Sequence, residues 1–207
     1  YSANKQNIGR YVELLEKIHA KAKQDGYLTF DDYINTCLYY PHLGYYNNKN
    51  ISFDPKNSDF ITAPETSSVY TESIINFYIQ CKKYKKIENI LEFGAGSGEL
   101  AYNFLKNIPE NNIPEKYYIL EKSLYLKKQQ QEKIGLLPEK YRGIVEWVNE
   151  VKNIDNVFLI ANEVLDAIPS KILIKENNIF YEKVIKTKNS KLYFSKIACS
   201  DYLNEKI

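Results

Sequence analysis

The chain has 207 residues, 28 Lys+Arg against 26 Asp+Glu, a formal net charge of +2 and 44% apolar residues. That composition excludes a disordered or collagen-like chain, and so small a positive excess argues against a nucleic-acid or anionic-membrane partner. No run approaches the ~18 apolar residues of a membrane span, no signal-peptide layout opens the chain, and the unevenly spaced Cys37, Cys81 and Cys199 read as thiols of a reducing compartment.

In chain order, Ile8, Val12, Leu15, Ile18 and Ala22 predict an amphipathic helix over 7–24, ended by Gly26. Thr29 and Asp32 resemble a capping pair for a helix over 30–39, stopped before Pro41. Residues 41–65 are rich in Pro, Gly, Asn and Asp, and are long for a connector, a feature of functional loops. Ile74, Ile75, Tyr78 and Ile79 predict a helix over 68–85. Strands at 89–93, 117–120, 143–148 and 157–161 then alternate with helices to about Lys106 and over 124–134, the second capped by Ser123. Such alternation predicts an α/β fold, a parallel sheet with helices on both faces. Beyond Pro169 the pattern turns to strands at 171–175, 179–186 and 192–197, with Asn177-Asn178 as a hairpin turn. The expected layout is a helical N-terminal lobe, 1–86, with a lid-like loop, followed by a nucleotide-type α/β domain, 87–207, with a β-hairpin-rich C-terminal extension.

The segment Ile90 to Glu99 reads ILEFGAGSGE. Its alternate glycines follow a strand and open a helix, so the chain can turn sharply and a ligand can approach the bare backbone beside unpaired N–H groups. A dinucleotide fingerprint would place its third glycine at position 99. Position 99 is Glu, and a carboxylate there repels a pyrophosphate. A phosphate-free nucleoside such as S-adenosylmethionine needs the close approach without the anion site. Glu92, Gly94, Ala95, Gly96 and Gly98 are therefore candidate cofactor contacts. Glu92 can attract an amino or sulfonium group, Glu121 can accept from ribose hydroxyls, and Glu146 and Trp147 lie where an adenine would be flanked. A glycine turn that binds nothing and a dinucleotide site are the other two readings.

The stretch ANEVLDAIP, Ala161 to Pro169, follows the fourth strand directly. Ligand sites of open parallel sheets lie beyond the carboxyl ends of the strands. Asn162, Glu163 and Asp166 can face a ligand there, clamp a guanidinium and orient a nitrogen toward a methyl donor. The alternative is helix capping by Asn162 and Glu163. The aromatic loops at 41–46 and 59–65 suit either a lid or packing on the core. His19 and His42 have no metal-ligand company, so no metal is expected, and there is no nucleophile elbow or phosphate loop. Lys82 to Lys86 reads as a solvated helix end.

Together with the glycine loop, Tyr33–Tyr46 (YINTCLYYPHLGYY), Asp59–Glu65 (DFITAPE) and Ala161–Pro169 resemble the MidA-like family over roughly 30–170. The resemblance implies a class I, Rossmann-like methyltransferase fold using S-adenosylmethionine. In mitochondrial members it implies symmetric dimethylation of an arginine on a complex I subunit. By matching position, Gly94, Gly96 and Gly98 would line the cofactor, Glu121 would hold its ribose, and Thr62, Ala63, Pro64 and Glu65 would border the site. Asn162, Glu163 and Asp166 would sit beside the transferable methyl. The chain departs from the family at Ser58, where glycine is usual, and at Ser68 and Tyr70-Thr71, where proline and Phe-Gly are frequent. Relatives continue past position 207 with a further strand and an Asp-Tyr-Gly, so the α/β domain is expected to be incomplete at its C-terminus. The resulting expectation is a protein arginine methyltransferase linked to complex I assembly, acting on a protein substrate in the bacterial cytoplasm or mitochondrial matrix. The alternatives are a catalytically inactive assembly or binding protein that kept the fold, and a nicotinamide-dependent oxidoreductase, which Glu99 disfavours.

Overall fold

The computed structural model describes residues 5–48, 63–150 and 153–206. Thr62, Ser58 and the Asp59–Ile61 part of the DFITAPE stretch lie outside the described residues. In chain order the elements are α1 (Lys5–Gln24), β1 (Leu28–Thr29), α2 (Phe30–Tyr39), α3 (Ala63–Thr66), α4 (Ser68–Tyr84), β2 (Asn89–Phe93), α5 (Glu99–Asn107), β3 (Lys116–Leu120), α6 (Leu124–Ile134), α7 (Glu139–Arg142), β4 (Val145–Val148), β5 (Val157–Ile160), β6 (Leu173–Glu176), β7 (Ile179–Lys188), β8 (Lys191–Ala198) and α8 (Asp201–Asn204). None of the described helices is long and apolar enough to cross a membrane.

Packing divides the chain into two units, one of 1–48 with 166–207 and the other of 49–165. This line differs from the 1–86 and 87–207 division expected from the sequence. Helix α4 belongs with the parallel strands, because its Tyr78 is buried in one core with Phe104 and Tyr117.

In the unit of 49–165 the strands are all parallel, in the order β4-β3-β2-β5. The crossover from β2 to β3 runs through α5 and that from β3 to β4 through α6 and α7, the usual way of joining parallel neighbours. The central strand β2 buries Ile90, Leu91 and Glu92. Tyr78, Phe104 and Tyr117 form an edge-to-face chain with ring centroids 5.5 and 5.8 Å apart, the geometry aromatic quadrupoles favour. Ser123 caps α6 as expected, its hydroxyl accepting from the Leu126 N–H at 3.1 Å.

In the other unit, β7 pairs antiparallel with β1, β6 and β8. Asn177-Asn178 has φ of 49° and 63°, and Asn189-Ser190 has 50° and 58°. Two consecutive left-handed residues match the twist of a tight hairpin, so the first turn forms as expected and the second joins β7 to β8. Leu14, Ile18, Ala22 and Leu28 form the core of this unit. The Thr29–Asp32 capping pair does not form. Thr29 is the N-cap of α2, but its side chain makes no cap hydrogen bond.

Candidate functional site

The glycine loop leaves the C-terminal end of β2, where its backbone turns left-handed three times, with φ of 59° at Gly94, 55° at Gly96 and 81° at Gly98. Gly94 donates its N–H to the Leu120 carbonyl at 2.9 Å, tying the loop to the end of β3. A Cβ on Gly94 would lie 2.7 Å from Val164 Cγ2. Gly98 opens α5, and a Cβ there would lie 3.3 Å from Gln130 Cα, so α6 is seated against bare backbone. Gly94→Ala is expected to lower stability by about 2 kcal/mol, from left-handed strain plus the contact with Val164. A urea midpoint unchanged from wild type would contradict this packing.

Carboxyl groups surround the loop. Glu92 is 3% exposed and accepts from the Tyr117 phenol at 2.8 Å. Burial pushes Glu92 up to about 7; the Tyr117 bond opposes this and the charge of Glu121 adds to it. Glu121, at the end of β3, accepts from the Ser123 N–H on Oε1 and from Gln130 Nε2 on Oε2, at 2.8 and 2.9 Å. Its pKa is raised by burial, with these hydrogen bonds partly offsetting the rise. Glu65, on α3, accepts from the Ser97 hydroxyl, which brings the Ala63–Glu65 turn to the glycine loop. Burial raises its pKa too, against the lowering effect of the Ser97 bond and of Lys133. Glu99 pairs with Lys133 and accepts from Asn103 Nδ2.

Of the two residues expected near an adenine, only Trp147 joins this group. Its indole N–H donates to Gln130 Oε1 at 3.0 Å. Alternation along β4 turns Glu146 to the opposite face, where it is exposed, 3.8 Å from Lys116.

After β5, Asn162 accepts from the Tyr70 hydroxyl of α4. Burial, followed by the negative charge of Glu163 and Glu92, raises the Tyr70 phenol. Glu163 is exposed and left-handed, with φ of 47°, an unusual conformation for a side chain with no glycine-like freedom. Val164 then lies over Gly94. The stretch makes a single 3-10 turn, Leu165–Ala167, so Asn162 and Glu163 do not cap an α-helix. Asp166 is exposed on that turn and falls in the unit of 1–48 and 166–207.

Two members of the group escaped sequence reading. Tyr70 stood out only as a departure from the family pattern. Gln130 lies in a Gln129-Gln130-Gln131 run that reads as solvated surface. The available signal was its spacing, since it stands four residues from both Leu126 and Ile134, the other buried positions of α6. Among the described residues, no three His, Cys, Asp or Glu converge to hold a metal. The arrangement offers a close backbone approach ringed by carboxyls, which suits a cationic, phosphate-free ligand better than a pyrophosphate.

Comparison with known proteins agrees with this chemistry. Residues 71–206 match a family described as "Putative S-adenosyl-L-methionine-dependent methyltransferase". The mitochondrial protein arginine methyltransferase NDUFAF7 homolog of Caenorhabditis elegans is 25% identical over 201 residues, 85% of this chain and 47% of its own length. Protein arginine methyltransferase NDUFAF7 of Bos taurus is 25% identical over 183 residues, 75% of this chain and 41% of its own. The chain thus spans about half the length of the curated relatives it matches. A solved Burkholderia thailandensis chain, bound to S-adenosyl-homocysteine, superposes with a TM-score of 0.80 at 24% identity, covering 97% of this chain and 53% of that one, which shows a shared fold. With two thirds of its length matched by the family profile, the chain belongs to this S-adenosylmethionine-dependent methyltransferase family, the MidA-like family that its motifs resemble.

Proposed function

We propose that this chain binds S-adenosylmethionine and transfers its methyl group to an arginine side chain of a protein. The observation that carries the reading is the left-handed glycine loop with Glu65, Glu92 and Glu121 gathered around it. These residues fit the cofactor. The bare backbone from Gly94 to Gly98 accepts close approach, Glu92 supplies negative charge for a cationic centre, and Glu121 keeps acceptor capacity for sugar hydroxyls. Trp147 is assigned to the adenine side, and Ala63, Pro64 and Glu65 to the border of the site.

When bound, S-adenosylmethionine supplies a methyl on positively charged sulfur, so that forming the N–C bond breaks the C–S bond and leaves a neutral thioether. The chain's own work is to bind, orient and exclude water. Asn162 and Glu163 are assigned to the substrate. Glu163 would accept from the attacking guanidinium, keep a lone pair directed at the methyl and take up the released proton. The choice of arginine rests on the family resemblance and on what the curated relatives are called; a respiratory complex I subunit as the target rests on the family resemblance alone. The compartment that follows is the mitochondrial matrix or a bacterial cytoplasm.

Calorimetric titration with S-adenosylhomocysteine tests the reading. Wild type is expected to bind, Glu121→Ala to bind at least tenfold more weakly (about 1.4 kcal/mol or more), and NADH to give no heat of binding. Absence of S-adenosylhomocysteine binding by folded protein would contradict the reading. Binding without transfer to any protein would instead favour an inactive assembly or binding role.

A further inference from the structure

We propose that Gln130 is a positioning residue of this crevice. Its amide locks the carboxylate of Glu121, the glycine-loop backbone at Gly96 and the Trp147 indole into one arrangement. The inference rests on the methyltransferase reading and extends it to a residue outside every motif.

Gln130 is 0% exposed, on the buried face of α6 between Leu126 and Ile134. A leucine or methionine would fill that place at lower desolvation cost, so a buried glutamine amide is tolerated only if its polar atoms are satisfied. All three are. Nε2 donates to the Gly96 carbonyl and to Glu121 Oε2, both at 2.9 Å, and Oε1 accepts from Trp147 Nε1 at 3.0 Å. The pattern permits one orientation of the amide. Exchanging its oxygen and nitrogen would set oxygen against the Gly96 carbonyl and the Glu121 carboxylate, and N–H against the indole N–H. The three partners stand 34, 9 and 17 residues away in sequence, on the loop after β2, at the end of β3 and on β4. A single side chain therefore fixes three separate walls of the proposed cofactor site. The missing Cβ at Gly98 lets α6 come close enough to do so.

The chemistry of the donor matters as well. A neutral amide fixes Oε2 of Glu121 without neutralising its charge, and the Ser123 N–H fixes Oε1. The carboxylate is thereby aimed while keeping lone pairs for ribose hydroxyls. A lysine or arginine in that place would pair with the charge and weaken the carboxylate as an acceptor.

The test uses two variants and the protein's single tryptophan. S-adenosylhomocysteine is titrated into wild type, Gln130→Leu and Gln130→Glu, with Trp147 emission and calorimetry as readouts. Gln130→Leu removes every bond and is expected to weaken binding at least tenfold and to shift Trp147 emission in the ligand-free protein. Gln130→Glu keeps the size and the acceptor for Trp147 but sets a second carboxyl against Glu121. The charged groups nearby include Glu121 itself, Glu92 on β2, on which the charge of Glu121 acts, the Lys133–Glu99 pair from α6 and α5, and Glu65 on α3, on which that pair acts. At pH 5.5 a proton held on the new carboxyl is donated to Glu121, but its single O–H cannot also serve the Gly96 carbonyl, so the ratio of variant to wild-type Kd is above one and at its smallest. By pH 8 the two carboxylates repel each other, and the ratio should rise at least tenfold.

A space-filling role predicts that Gln130→Leu binds as wild type does and leaves Trp147 emission in the ligand-free protein unchanged. A flat ratio, or Gln130→Leu binding within twofold of wild type, overturns the inference while leaving the cofactor reading intact. Failure of wild type to bind overturns both. Should Gln130→Leu not fold, the pH dependence of the Gln130→Glu ratio decides.

Discussion

Glu92→Gln is expected to stabilise the protein by about 3 kcal/mol at pH 8 and to leave stability near pH 4 unchanged. Glu92 is buried and titrates at about 7 in the folded chain against 4.5 when unperturbed. The folded state therefore holds this proton more tightly than the unfolded state does. Its contribution to stability is complete below about pH 4.5 and is lost as pH rises through 7. Glutamine stays neutral at every pH, and its amide oxygen can still accept from Tyr117, so the loss is removed without opening a cavity. Glu65 and Glu121 are shifted in the same direction by burial, so the variant should keep a shallower decline of its own. Urea midpoints at pH 4.5, 6 and 8 measure the effect. Parallel curves for wild type and variant would contradict the burial of a charged Glu92. The same imbalance serves binding in the proposed function. A cation beside the loop stabilises the carboxylate, so cofactor binding near pH 6–7 should release protons, seen as a dependence of the calorimetric heat on buffer ionisation enthalpy.

At Glu163 the expected effects on transfer and on stability separate. Glu163→Gln keeps the shape and the left-handed backbone but removes the charge, and transfer to an arginine-containing protein substrate should fall by about 10²–10⁴-fold. Glu163→Gly removes the carboxylate too, but it also relieves the side-chain strain at φ of 47°. It should lose transfer to the same degree while gaining about 1 kcal/mol of stability. The pair distinguishes a strained position held for chemistry from one that is merely tolerated. Labelled-methyl transfer and urea unfolding on the same preparations give both numbers. Transfer by Glu163→Gln within threefold of wild type would remove Glu163 from the chemistry.

Much of the unit around the parallel sheet could be read from residue order. An apolar run with turn signals on both sides marks β2 at its observed bounds, and Ser123 before an apolar-spaced run marks α6. What could not be read depends on contacts distant in sequence. Strand β1 has only two residues, Leu28 and Thr29, paired with Ile185 and Val184. A strand that short has no period to detect, yet it ties the N-terminal helices to the C-terminal strands and sets a division of the chain that composition does not show. Glu146 and Trp147 looked equivalent as neighbours, although strand alternation sends them to opposite faces. Gln130 was hidden because its partners, Gly96, Glu121 and Trp147, meet only when three strands are laid side by side.

A crystal structure of the protein with S-adenosylhomocysteine bound tests the central claim most directly. It should show the ribose hydroxyls on Glu121, the homocysteine chain against the backbone of Gly94 to Gly98, and the Glu121–Gln130–Trp147 bonds retained. A nucleoside seated elsewhere, or a loop that closes over Gly96 and leaves Glu121 without contact to the sugar, would contradict it.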